Sequence, residues 1–206
     1  MAFLKKHLPI TIIAVFHLVG FIGFLVSPEH FKSLTPLNLL LSAVLIIVMS
    51  NQSKASFYVA LLMIALAGYW VEVLGVKTGL IFGHYHYGPA LGYKLFAVPL
   101  LIGLNWALLI YGVNQFFHLE NRYVNAALGA LLMVGLDFLI EQSCARFDFW
   151  YWRGGKIPLQ NYIAWFIVSF GMNLFTQKEL AKKPNPTVKA FYIIQVLFFG
   201  ALYIVR

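Results

Sequence analysis

Long apolar blocks alternate with short polar segments along this chain, and hydropathy divides the blocks into seven candidate membrane spans. They run from Pro9 to Val26, Pro36 to Met49, Ser56 to Val76, Leu95 to Phe117, Asn121 to Ser143, Leu159 to Phe175 and Thr187 to Val205. Each is about long enough to cross a hydrocarbon core of about 30 Å as a helix, the second only with help from flanking residues. The pattern predicts an all-α, polytopic transmembrane helix bundle of about seven spans. Lys5, Lys6 and Ser27-Pro28 bound the first block. No small-residue cleavage site follows it, so it reads as a span and not as a signal peptide. Pro36 suits the first turn of a helix, and Lys182-Lys183-Pro184-Asn185-Pro186 reads as the loop between the last two spans.

Three acids interrupt the apolar blocks: Glu72 near the end of the third, and Asp137 and Glu141 near the end of the fifth. A charge in hydrocarbon costs several kcal/mol or more, which makes an intramembrane acid a functional-site candidate. With seven spans, the third and fifth run the same way. All three acids then lie toward one membrane face, within about two turns of a helix end at about 1.5 Å per residue. The third and fifth loops open on that face too. They carry Gly83-His84-Tyr85-His86-Tyr87-Gly88 and Phe149-Trp150-Tyr151-Trp152-Arg153-Gly154-Gly155. One pocket at one membrane face is the economical expectation.

Composition agrees with a membrane protein and adds little else. Of 206 residues, 61% are hydrophobic and 11% charged, against about a quarter charged in soluble domains, and mean hydropathy is +0.81. No linker or low-complexity tract divides residues 1–206, which read as a single integral membrane domain, multi-pass. The net charge of +8 comes from 15 basic residues scattered through loops. That suits juxtamembrane anchoring in a lipid bilayer and gives no stripe for nucleic acid. Clustered lysines at the amino terminus and between the last two spans favour an amino terminus inside. The lone Cys144 excludes an internal disulfide and leaves the redox compartment open.

Asp137 and Glu141, four apart, share a helix face, and mutual repulsion there favours retaining at least one proton. A structural pair bonded to a neighbouring helix is the plainer alternative. The alternation of His84-Tyr85-His86-Tyr87 puts both histidines on one side and both tyrosines on the other if the segment is extended, although an interfacial aromatic belt would account for the tyrosines alone. Gly75, Gly79, Gly83, Gly88 and Gly92 recur every four or five residues. The first two suit close helix approach, and Gly83 and Gly88 suit a loop re-entering the membrane within protein. Trp106 and Trp165, each taken singly, read as lipid-facing. His7, His17, His30 and His118 suggest no role.

Taken in order, Glu72, Gly75, Thr78, Gly79, Phe82, Gly83, Tyr85, Tyr87, Gly92, Val98-Pro99 and Trp106 resemble the signature of the membrane-integral carotenoid 1,2-hydratases. This family, known simply as carotenoid biosynthesis proteins, includes hydratases of γ-carotene, lycopene and bisanhydrobacterioruberin. Asp137 with an acid four residues on, Trp150-Tyr151-Trp152, Pro158-Leu159, Asn161-Tyr162 and Trp165 extend the likeness, which covers about 72–165. One departure is Glu141-Gln142, where family members commonly carry Asp-Pro. The acid survives, but the missing proline bears on where that helix ends.

The resemblance implies a hydro-lyase of carotenoid and isoprenoid metabolism that adds water to the terminal C1=C2 bond of an acyclic or monocyclic carotenoid without cofactor or metal. A neutral carboxyl would protonate C2, aromatic faces would stabilise the tertiary cation, and a second carboxylate or a histidine would deprotonate the water. The expected roles are Asp137 as donor, Glu141 as its coupled partner and Glu72 as base, with Asp137 and Glu72 exchangeable. Tyr85, Tyr87, Trp106, Trp150 and Trp165 would line the end-group pocket, Asn161 would hold water or a carboxyl, and His84 and His86 are proton-relay candidates. Other enzymes of the carotenoid pathway are expected partners, and the resemblance implies a bacterial or archaeal cell membrane. Four alternatives stay open: a cyclase; a metal-dependent hydroxylase with an iron or zinc site built from the acids and the two loop histidines; a proton-coupled transporter; and a lipid-binding protein.

Overall fold

A computed structural model describes the backbone of residues 2–205 and the side chains of residues 7–205; Lys5, Lys6 and Arg206 of the charge pattern lie outside the described side chains. The elements are α1 (Ala2–Val26), α2 (Pro28–Lys32), α3 (Thr35–Val48), α4 (Ala55–Thr78), β1 (Tyr85–Tyr87), β2 (Lys94–Leu95), β3 (Val98–Pro99), α5 (Leu101–Val113), α6 (Arg122–Glu141), β4 (Trp150–Trp152), α7 (Leu159–Leu180) and α8 (Pro186–Ile204), with one 3-10 turn after β4. The architecture is an all-α bundle.

Every expected block contains a helix, but among the described residues four helices rather than seven are long and apolar enough to cross a membrane: His7–Val26, Ala55–Thr78, Arg122–Glu141 and Pro186–Ile204. The helices α3 and α5 are apolar but have only 14 and 13 residues, about 20 Å of rise against a core of about 30 Å. The helix α7 has the length, at 22 residues, but Gln160, Asn161, Asn173, Gln177, Lys178 and Glu179 dilute its hydropathy. The fourth block also starts later than expected, because its first residues form a hairpin between β2 and β3. Phe96 and Ala97 turn that hairpin with φ of 52° and 67°, the left-handed pair that a two-residue hairpin turn requires. At the far end of the block the helix closes at Val113, before Phe117.

Close approach between α4 and α5 depends on two glycines. A Cβ on Gly68 would lie 2.5 Å from Cγ of Trp106, and one on Gly103 would lie 2.5 Å from the Ala65 carbonyl oxygen. Their absence lets α5 lay Trp106 flat against α4, one turn from Glu72. The helix α6 packs along α7, and α8 fills the groove beside α1 and α5. Side-chain oxygens of Asn121 and Asn185 cap α6 and α8 by accepting from the second and third backbone amides of each helix. Asn185 also donates to the Ile46 carbonyl, and its own backbone amide donates to Gln115, so that end of the bundle is closed by polar bonds.

At the opposite end, the two long connections pair with each other. The strands β1 and β4 run antiparallel in the register Tyr85 to Trp152, His86 to Tyr151 and Tyr87 to Trp150. Alternate residues of an extended chain face opposite sides, and so the ribbon presents Tyr85, Tyr87, Trp150 and Trp152 to the bundle. Gly88 secures it: its amide donates to the Phe149 carbonyl, and a Cβ there would lie 2.1 Å from the Asp148 carbonyl oxygen. The Asp148 carboxylate accepts from Lys32 of α2 and from Tyr151. A short helix that hydropathy did not predict is thereby tied to the ribbon.

Gly68→Ala should displace the Trp106 ring and destabilise the protein by about 1–3 kcal/mol, the usual range for overpacking a fitted interface. Gly171→Ala, where a Cβ meets nothing within 4 Å, is the matched control. Thermal unfolding in detergent followed by tryptophan fluorescence checks this, and equal melting of the two variants would mean that α4 and α5 do not approach as described.

Candidate functional site

Glu72 lies on α4 two turns before the helix ends at Gly79 and is 4% exposed. Its carboxyl is held by three donors from two other elements. Tyr85 and Tyr87 of β1 donate their hydroxyls to Oε2 at 2.5 and 2.8 Å, and Trp106 of α5 donates its indole N–H to Oε1 at 3.1 Å. Indole nitrogen has no acceptor function, so Oε1 must be an acceptor toward α5.

Asp137 and Glu141 occupy the last turns of α6, and Glu141 is its final residue. The helix ends there without the proline seen in the resembled family; Gln142 caps it in helical conformation, and the carboxyl stays buried at 5% exposure. Oε2 of Glu141 accepts indole N–H groups from Trp152 at 2.7 Å and Trp150 at 3.2 Å, and the thiol of Cys144 at 3.4 Å. Asn161, in the first turn of α7, bridges the two acids. Its amide donates to Oδ2 of Asp137 at 2.7 Å and to Oε1 of Glu141 at 3.4 Å. Asp137 is 1% exposed, and its Oδ1 alone among the carboxyl oxygens of the three acids is buried without a partner.

The three carboxyls line one cavity of about 40 Å³, together with Tyr85, Tyr87, Trp106, Trp150, Trp152, Asn161 and Trp165. At about 10–15 Å³ per water by this kind of measure, it has room for roughly three waters. Trp106 and Trp165 stack with ring centroids 4.2 Å apart, tilted by 17°. Taken singly each read as lipid-facing; together they form an aromatic wall inside the bundle, where the end-group pocket was expected. Burial of the phenols and the neighbouring Glu72 push Tyr85 and Tyr87 well above the ordinary tyrosine range. Both are therefore neutral hydroxyl donors.

The expected acids, tyrosines, tryptophans and Asn161 are brought together, whereas His84 and His86 are not. Both histidines are exposed, and His86 stacks on Tyr151 across the outer face of the ribbon, with centroids 5.4 Å apart. The alternation of the strand was read correctly. It leaves the histidines outside the cavity that the acids line, so the set of acids plus loop histidines is not assembled there. Among the described residues no group of three or more His, Cys, Asp or Glu could hold a metal ion. Besides the apolar Phe82, Ile102 and Ile140, two lining residues with hydrogen-bonding side chains were not assigned to the site from sequence. Trp152 follows from the same alternation as Trp150, and Asn105 is a lone amide one residue before Trp106 in an otherwise apolar helix.

A family model described as carotenoid biosynthesis protein matches residues 34–205. The chain belongs to the carotenoid biosynthesis protein family. That match spans most of the chain and includes every element that lines the cavity, so this family member has a role in carotenoid biosynthesis. No curated protein and no solved structure matches the chain. The four long apolar helices are compatible with an integral membrane setting for that role.

The tyrosine pair gives a spectroscopic check on the site of this family member. Because the charged form is the one disfavoured, Tyr85 and Tyr87 should remain un-ionised as pH rises past about 10, where exposed tyrosines titrate. Unfolding exposes them, so their contribution to stability is present below about pH 10 and is lost as pH climbs further. Alkaline titration of the tyrosinate absorbance should show a late fraction that shrinks in the Tyr85→Phe/Tyr87→Phe variant. A parent protein whose tyrosines all titrate together near pH 10 while still folded would contradict the buried cluster.

Proposed function

We propose that this protein adds water across the terminal C1=C2 double bond of an acyclic carotenoid end group by general-acid catalysis. The observation that carries the reading is the unequal treatment of the three acids. Glu72 and Glu141 each accept at least three donated hydrogens, while Asp137 accepts one and keeps a buried oxygen free. A carboxyl crowded with donors is suited to carry charge. A carboxyl oxygen with no donor, beside a like-charged neighbour, is suited to carry a proton.

Asp137 is accordingly the acid. Its Oδ1 proton passes to C2 as the π pair forms the new C–H bond, leaving a tertiary cation at C1. The stacked indoles of Trp106 and Trp165 and the indole of Trp150 present electron-rich faces that stabilise a cation without bonding to it. A water in the cavity attacks C1 through oxygen and loses a proton to Glu72, whose three hydrogen bonds orient it for that transfer. Return of this proton to Asp137 through the cavity water restores the starting state. The balance is alkene plus water to tertiary alcohol. No electrons are transferred, so the step requires no redox cofactor.

Glu141 and Asn161 act on Asp137. Asn161 fixes Oδ2, which leaves Oδ1 directed away from that amide, and Glu141 supplies the neighbouring charge. The family membership supports the carotenoid substrate, and the room for roughly three waters beside the acids supports capture of the cation by water rather than by an internal alkene.

Asp137→Asn keeps the bond to Asn161 and removes the transferable proton. Turnover should fall by about 10²- to 10⁴-fold, the usual contribution of a positioned acid, with melting in detergent unchanged. Reaction in heavy-oxygen water should put one labelled oxygen into the product, and exclusion of air should not slow it. Near-normal turnover by Asp137→Asn, or label arriving from dioxygen alone, would overturn the assignment.

A further inference from the structure

The acid cavity is too small for the molecule that the proposed reaction consumes. About 40 Å³ accommodates roughly three waters, whereas a cavity of about 150 Å³ is what a six-carbon ring fills in another protein. The acid cavity has room for the reacting carbons and a water, but not for the isoprenoid chain behind them.

A second cavity of about 220 Å³ lies between α1, α3, α5 and α8. The two share four wall residues, Ile102 and Asn105 of α5, Ile140 of α6 and Trp150 of β4. Ile140 sits one residue before Glu141, so adjoining faces of one helix serve both spaces. The wall of the larger cavity is apolar except for a few side chains, and Asn105 is the one amide that also lines the acid cavity. Several of its lining residues on α1 and α3 face outward, among them Val19 at 51% and Leu37 at 60% exposure. Its mouth therefore opens on the apolar flank of the bundle, and β4 of the ribbon borders the cavity through Trp150.

We infer that the larger cavity is the binding site for the isoprenoid chain, which enters sideways between α1 and α3 and meets the water of the acid cavity at Asn105 and Trp150. This rests on the hydration reading for the identity of the chemistry, and on geometry for the place of the chain. By comparison with the six-carbon case, about 220 Å³ takes roughly two isoprene units. The rest of a long polyene stays in the bilayer. The tyrosines of β1 then serve Glu72 and water, and all but the reacting end of the chain lies on the other side of the Ile102–Trp150 wall.

Gly20 of α1 provides the test. It lines the cavity, and a Cβ added there meets only the Phe198 ring, at an ordinary 3.8 Å. Larger side chains at this position would fill the space without displacing a packed neighbour. The probe is a geranylgeranyl diazirine photolysed with the full-length protein in lipid nanodiscs, the adducts being mapped by peptide mass spectrometry. Adducts should concentrate on α1, α3 and α5 around the cavity. Gly20→Leu and Gly20→Phe should reduce them by about tenfold or more, Gly20→Ala by less, and Gly171→Leu not at all. Asp137→Asn should be labelled like the parent protein. Labelling that ignores Gly20→Phe in a protein of unchanged melting temperature, or that spreads evenly over the apolar surface, would overturn the inference. Labelling that follows Gly20, in a protein that incorporates no oxygen from labelled water, would leave the chain site standing and remove the hydration reading instead.

Discussion

Three carboxyl groups buried in an apolar bundle need hydrogen-bond donors that water cannot freely supply, and much of the molecule is arranged to provide them. An unpaired carboxylate in a low-dielectric interior costs far more than any single packing contact returns. Here the donors are aromatic: two phenols and three indoles, joined by one amide and one thiol. Tyrosine and tryptophan suit the task because each brings a polar hydrogen on a large apolar body. The same ring that satisfies an acid therefore also seals the cavity around it.

That requirement accounts for the ribbon over the end of the bundle. Glu72 and Glu141 lie on different helices, and their aromatic donors come from β1 and β4 respectively, with Trp106 added from α5. Pairing Tyr85 with Trp152 and Tyr87 with Trp150 joins the two donor sets into one surface. The ribbon has only three residue pairs, too few to hold by backbone bonds alone. It is held instead by the acids beneath it and by Asp148, whose carboxylate takes Lys32 from α2 and Tyr151 from β4. Acid burial and strand pairing thus stabilise one another.

Sequence made the acids and aromatics legible because charge within an apolar block is conspicuous, and because four-residue and two-residue spacings each specify a face. Glu72, Asp137, Glu141, Trp106, Trp165 and Asn161 reach one cavity from four helices, as the shared direction of the third and fifth blocks implied. Hydropathy was less informative about length. It counts Leu95 to Leu100 as helix because they are apolar, and it cannot register the left-handed pair at Phe96 and Ala97 that turns them into a hairpin. It also counts α7 as a span from its apolar first half, although Asn173, Gln177 and Lys178 make the second half polar. Strand alternation separates histidines from tyrosines but does not say which set faces inward. That depended on a partner strand more than sixty residues away, which no local pattern announces.

On the proposed reading the protein joins a polyene with water, two molecules that partition into different phases, and the two cavities divide that work. Trp106, Tyr85 and Tyr87 make the smaller space polar enough for water, and Phe24, Leu109 and Phe198 keep the larger one apolar. On the proposed reading, what separates them is the wall of Ile102, Asn105, Ile140 and Trp150. A wall that is mostly hydrocarbon keeps water off the chain until a double bond reaches the acids. One amide and one indole in that wall let the two spaces meet at a single place. Because Ile140 and Glu141 are neighbours at the end of α6, the position of that meeting point is tied to where the helix stops. Placing the acids in the final turns, where α6 gives way to the ribbon, is what puts an acid, a water site and an apolar channel within reach of one carbon–carbon bond.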